Sequence, residues 1–331
     1  MRLGKTAIVL LLALAGCSSG DDDAQPAADA QGSDDQGAVQ ISTKLKGTLY
    51  FNYAAPMQAP RVMAIDLRSK RYRVAADGVH ANVAGEVIAY VNFCSPLQVQ
   101  LAVTDEDGFM TPLSDCVERD TISGKSLQGP AITGDGKRIA VLNNELRAEI
   151  DRKEDPYGLD AMVGLNKYSA TQVFDLDGNV LAEFKDMGPA VWAKDGSLIL
   201  AGRGGDVGFG IFRADKKLKS VKRIDDGRLK SAVDVMDAHP KDNTIAFVFN
   251  GQLFEMPLKS GKPKRLHSHG NMLSGIAYSP SGDQIAIVST DTLNEAIQMG
   301  GGGYPIFVLD DGDIHTIRMP FIIDGPLDWV K

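Results

Sequence analysis

The chain has 331 residues, a formal net charge of −8, and hydrophobic and charged shares of 44% and 24%. This is the composition of a globular protein long enough to bury a sizeable core. The acidic balance and the lack of a visible basic stripe exclude nucleic acid as a main partner, and no apolar run of about 18 residues in the body predicts a transmembrane helix.

The first element is an address label. Residues 1–17 read MRLGKTAIVLLLALAGC, with Arg2 and Lys5 ahead of an apolar stretch from Thr6 to Ala15 that is too short to span a bilayer. Leu14-Ala15-Gly16-Cys17 resembles the lipobox of bacterial lipoproteins. The resemblance implies a signal peptide over 1–16, a lipid-modified Cys17, and attachment to the membrane through acyl chains. Ser18, where inner-membrane lipoproteins carry Asp, implies the outer membrane, with the body in the periplasm or at the cell surface. Residues 18–40 hold six Asp and no Lys or Arg among Ser, Gly, Ala and Gln. Such a stretch has nothing to bury and repels itself, so residues 17–45 are expected to be a lipidated, disordered tether.

From Lys46 to Lys331 one pattern recurs. A small-residue strand passes a Gly-containing turn and enters a strand such as RIAVLN or QIAIVS. Ile88, Ile139, Ile199, Ile245 and Ile285 mark this second strand at spacings of 40 to 60 residues. That period fits four-stranded propeller blades. The third strand ends in an Asp-rich turn, as in QVFDLDGN at 172–179. That turn lacks the Gly and Glu of a calcium-binding EF-hand loop and reads as a hairpin. A short, often basic fourth strand follows, as in SVKRIDDG and PKRLHSHG.

Five complete blades begin near 80, 129, 188, 232 and 274. Residues 47–78 supply three strands with no opening strand, and GPLDWVK at 325–331 is an opening strand with no sequel. Together they make a sixth blade from the two ends of the chain, which removes the open edges of the ring. GPLDWVK also repeats GPAVWAK at 188–194, so Trp329 is expected to fill the slot of Trp192. The fold class is therefore an all-β six-bladed β-propeller. YSPSGDQIAIVS at 278–289 resembles the WD40-like (PD40) repeat of TolB-type six-bladed propellers, with Tyr278 where that repeat carries Trp. The resemblance implies a propeller of the cell envelope; its partners do not transfer, because function resides in sites rather than folds.

Chemistry is sparse. There is no Gly-x-Ser-x-Gly elbow, and SGKS at 123–126 has Arg119 where a phosphate loop needs Gly. His80, His267 and His269 fall at blade-to-blade junctions and read as exposed loop residues. Outside the cytosol, Cys94 and Cys116 are expected to form a disulfide, since both leave their strands at one edge of the same blade. Two long connections between second and third strands, 143–168 and 290–304, stand out as candidate binding loops, with Tyr157, Met162, Tyr168, Met299 and Tyr304 as their apolar contacts. The expected function is a non-enzymatic, membrane-anchored scaffold that binds an envelope protein, peptide or glycan, with no cofactor. The alternative is a calcium-dependent hydrolase or lactonase working in the central channel, for which Asn92, Asn143 and Asp206 would be candidate ligands.

Overall fold

In the computed structural model, the described residues are 45–53, 59–96, 98–105, 107–118, 126–144, 170–204, 207–267, 273–289, 305–317, 319 and 323–331. They build six antiparallel sheets. Blade 1 contains β4 (Val79–Ala84), β5 (Val87–Ser95), β6 (Gln98–Thr104) and β7 (Met110–Pro112), with β8 (Val117–Glu118) also paired to β6. Blade 2 contains β9 (Ser126–Ile132), β10 (Arg138–Asn144), β11 (Ala170–Asp175) and β12 (Val180–Lys185). Blade 3 contains β13 (Met187–Trp192), β14 (Leu198–Arg203), β15 (Phe209–Ala214) and β16 (Val221–Arg223). Blade 4 contains β17 (Val235–Ala238), β18 (Thr244–Phe249), β19 (Gln252–Pro257) and β20 (Lys264–His267). Blade 5 contains β21 (Leu273–Tyr278), β22 (Gln284–Ser289), β23 (Ile306–Asp310) and β24 (Asp313–Ile317).

Blade 6 is the expected composite. The C-terminal β25 (Ile323–Val330) is its inner strand, followed outward by β1 (Thr48–Tyr53), β2 (Arg61–Asp66) and β3 (Tyr72–Ala76). Thr48 lies opposite Val330, and Leu49 opposite Trp329. The inner strands contact one another in a closed cycle, β4 to β9, β13, β17, β21, β25 and back to β4.

The core lies between blades. Period-two alternation gives the second strands two buried faces, and six apolar clusters fill the six junctions. Ile139 and Val141 of β10 face blade 1, while Ala140 between them faces blade 3. One expected core position shifts. Ile88, Ile139, Ile245 and Ile285 all face the preceding blade, but in blade 3 that position is Leu198, and Ile199 faces the next blade. The cause is a shorter first hairpin. In blade 2 the Thr133 N–H bonds the carbonyl of Arg138 at 2.9 Å, whereas in blade 3 the Ala193 N–H bonds that of Ser197, one residue nearer, at 2.9 Å. With that offset Trp192 lies opposite Leu198 as Trp329 lies opposite Leu49, so the two indoles do occupy equivalent slots.

The meander fixes which end of each blade is which. Hairpins joining first to second and third to fourth strands form the lower face. Connections from second to third strands, and from one blade to the next, form the upper face. Asn250-Gly251 is a two-residue upper connection, both with positive φ (50° and 69°), the conformation such a hairpin requires.

Candidate functional site

The hub is walled by the six inner strands, and five of them share an irregularity. Pairing to the second strand breaks within Val79–Asn82, Gln128–Ala131, Met187–Ala190, Leu273–Gly275 and Asp324–Asp328. Pro130, Pro189 and Pro326 sit in three of these breaks; proline has no N–H to give to a ladder, so it belongs where the ladder is interrupted. The strands bow there and enclose a cavity of about 290 Å³. Pyrrolidine rings, Ala81, Ile276 and Leu327 supply its apolar wall, and His80, Asn82, Gln128, Asp234, Asp237 and Ser274 its polar one.

His80 occupies the place that Gly129 holds in the next blade, and both backbones are left-handed (φ 59° and 53°). A side chain other than Gly there is strained. The position is held by the Asn52 carboxamide, which accepts the His80 N–H at 2.7 Å. His80 thus belongs to β4 and lines the hub, contrary to its reading as an exposed loop histidine. His267 ends β20 in a partly buried position, and His269 lies outside the described residues.

One inner-strand position stitches neighbouring blades. Asp328 of blade 6 accepts the Val83 N–H of blade 1. Asn82 of blade 1 accepts the Ile132 N–H of blade 2 at 2.8 Å. Asp237 of blade 4 accepts the Tyr278 N–H of blade 5 at 2.6 Å and its neighbour Ala238 N–H at 2.8 Å. Burial dominates the acidity of both carboxyls. It raises Asp237 to about 6, and burial together with the charge of Asp237 raises Asp328 to about 8. Burial also pushes Asp234 upward. Among the described residues the hub wall carries no Lys or Arg to offset these groups. Ser274 Oγ is buried in the same wall and makes no hydrogen bond to a described residue. This is a pre-formed concave site with a few convergent polar groups of shifted acidity, suited to recognition.

Cys94 and Cys116 are joined, with Cα atoms 6.3 Å apart. Their placement differs from expectation in detail. Cys94 lies within β5, and Cys116 precedes β8, because the outer strand of blade 1 is split into β7 and β8. The Asp175 turn is a hairpin: its carboxylate accepts the N–H groups of Asp177 and Asn179 at 3.0 and 2.8 Å. Asn92 and Asn143 are in β5 and β10 and do not line the hub, and Asp206 lies outside the described residues. Cys17, Tyr157, Met162, Tyr168, Met299 and Tyr304 lie outside them too. The two loop segments do connect second to third strands, β10 to β11 and β22 to β23, at the upper face. The stitching residues Asp237, Asp328 and Asn82 escaped the sequence reading; their signal is an Asp or Asn at one repeated inner-strand position in VMDAH, GPLDW and HANVA.

No protein-family model matches the chain, and no curated protein matches it. Solved structures do. TolB from Acinetobacter baumannii aligns over 86% of this chain with a TM-score of 0.59 and 14% identity, and the chain spans 66% of that protein. A chain from a nidogen/laminin complex aligns over 86% of this chain and 99% of its own length, with a TM-score of 0.57 and 11% identity. A TolB-type protein of Agrobacterium tumefaciens aligns over 84% and 90%, with a TM-score of 0.50 and 17% identity. The likeness is one of fold.

Proposed function

We propose that this chain is a non-enzymatic binding propeller of the cell envelope, anchored to the outer membrane through lipid on Cys17, and that its hub mouth captures an envelope protein, peptide or glycan. The hub carries the reading. It is concave, walled by three prolines and by carboxyl and carboxamide groups, and it retains a strained His80 where the next blade has Gly. Strain held at a cavity wall marks a position kept for contact. The loops 143–168 and 290–304, joining second to third strands, would extend this surface. The TolB-type fold of the neighbours agrees with an envelope propeller, and one neighbour was solved in a complex of nidogen with laminin.

The test is capture by the purified lipidated protein, compared between the parent and His80→Gly. Relieving the strain should leave the fold intact and raise the melting temperature, while at least one captured partner is lost. Retention of every partner by a folded His80→Gly protein, and also by a chain with both loops shortened to two-residue turns, would place binding elsewhere. Cys17→Ser should remove the protein from the membrane fraction; persistence after a salt wash refutes the anchor.

A further inference from the structure

Folding assembles a basic surface that no single stretch of the sequence displays. The lower hairpin of blade 3 carries Lys216, Lys217, Lys219 and Lys222, all exposed. The lower hairpin and outer strand of blade 4 carry Lys259, Lys262, Lys264 and Arg265, also exposed. The two segments adjoin: Gly261 packs on the carbonyl of Ile224, and a groove of about 520 Å³ runs between Lys222 and Lys259.

Asp242, in the first hairpin of blade 4, is exposed 3.7 Å from His239, and the acids beside the lysines themselves are committed. Asp215 closes its own turn, accepting the N–H groups of Lys217 and Lys219 at 2.9 and 3.0 Å and the Ser220 hydroxyl at 2.7 Å. Asp225 is buried against Arg223, Asp195 pairs with Arg213, and Asp226 pairs with Arg228. None of the eight exposed cations makes an ion pair among the described residues. Seven of the eight are lysines, flexible point charges rather than rigid forks, which suits a diffuse anionic surface better than a single oriented carboxylate.

The place where the chain enters the ring is on this same face. Lys46 and Gly47 share a recess with Lys241, Pro280, Asp283, Asp310 and Lys331, and Lys241 belongs to the first hairpin of blade 4. A segment arriving from residue 17 therefore joins the propeller beside its basic sector.

We propose that the lower rim of blades 3 and 4 docks on a bilayer surface rich in anionic phospholipid, leaving the hub mouth on the opposite face open. This goes beyond binding at the hub and does not depend on the acyl anchor. Clusters of four to eight Lys or Arg are of the size that holds a protein to anionic lipid, and screening by salt releases them. The chain as a whole is acidic, so attraction to such a surface must come from a local patch.

The experiment uses the Cys17→Ser chain, which has no acyl acceptor at that position, and vesicles of phosphatidylethanolamine and phosphatidylglycerol against neutral phosphatidylcholine vesicles. Sedimentation should show binding to the anionic vesicles alone, lost in high salt. Reversing Lys217, Lys219, Lys259 and Lys262 to Glu should weaken it about tenfold or more. Reversing the upper-face cations Arg61, Arg203, Arg228 and Lys230 to Glu changes net charge equally and should leave binding within about twofold, with circular dichroism confirming both folds. Three results overturn the proposal: no binding by the parent, equal loss in both variants, or binding that emerges only after residues 18–40 are deleted. The last would make the chain's own acidic stretch the occupant of the rim.

Discussion

Blades 3 and 6 begin with near copies of one strand, yet they are held in the ring differently. In blade 3, Trp192 is half-buried, donates its indole N–H to Ala131 of blade 2 at 2.9 Å, and lies under the guanidinium of Arg138. Val191 precedes it and makes only apolar contacts toward blade 4. In blade 6, Trp329 is 4% exposed, donates to the carbonyl of Lys46 at 2.9 Å, and is preceded by Asp328, which grips the backbone of blade 1. The covalent chain carries blade 3 to its neighbours on both sides. Blade 6 has no such continuity between β25 and β1: backbone pairing joins the two strands, an indole ties β25 to Lys46 just ahead of β1, and a carboxyl ties it to blade 1.

The largest test of this contrast is to remove the clasp. Deleting Gly325–Lys331 takes Trp329, Asp328 and most of β25, and should abolish cooperative unfolding in calorimetry. Deleting residues 18–40 should leave the melting temperature nearly unchanged. A truncated chain that melts like the parent would show that β25 does not close the ring.

Single substitutions separate the two indoles. Trp329→Ala should cost about 3–5 kcal/mol, the usual range for a buried Trp, and Trp192→Ala distinctly less, since that ring is partly solvated before the change. Urea titration of both gives the comparison, and equal losses would remove the distinction between the blades.

Blade 1 offers a third case, a blade whose outer strand is interrupted and which has a covalent clasp. The Cys94–Cys116 bond closes a loop of 22 residues, worth about 3 kcal/mol in the loop-entropy model. The double Ser variant should lose stability of that order, and non-reducing peptide maps of exported protein should show the crosslink. Free thiols in the exported protein would contradict it.

The stitching carboxyls add a pH response. Asp237 and Asp328 have folded values of about 6 and about 8, above the ordinary carboxyl value. The folded chain therefore holds protons that the unfolded chain has released, and their contribution to stability is full below about pH 4 and is lost as pH rises through these values. The melting temperature should fall between pH 5 and 8 by an amount that Asp328→Asn reduces, because the carboxamide still accepts the Val83 N–H without taking up a proton. An unchanged slope in that variant would assign the response to other groups.

The blade count, the strand order and the composite sixth blade were legible because a propeller writes itself in local signals. Period two marks the strands, Gly marks many of the hairpins, and the repeat of GPAVW as GPLDW betrays the missing partner. The split of β7 from β8 was not legible, since three- and two-residue strands leave no alternation to detect. Asp328 reads as a polar residue between apolar neighbours, and only the approach of blade 1 buries it. The basic rim is divided between runs about forty residues apart in sequence and exists only because blades 3 and 4 are neighbours. The loops with Tyr157 and Met299 announce themselves by length alone, which marks a place and no chemistry.

The pairing of β25 with β1 also sets a clock. A ribosome that has reached residue 322 has made every strand of blades 1 to 5 and three of blade 6, yet β1 still lacks its inner neighbour. Trp329 and Asp328, which lock both sides of the seam, are made later still. Individual blades can form as they emerge, in the N-to-C order usual for nascent chains, but the ring cannot close while residues 323–330 are unmade. Closure is thus the last step in completing the ring, and until it occurs the buried faces at the seam remain accessible to chaperones.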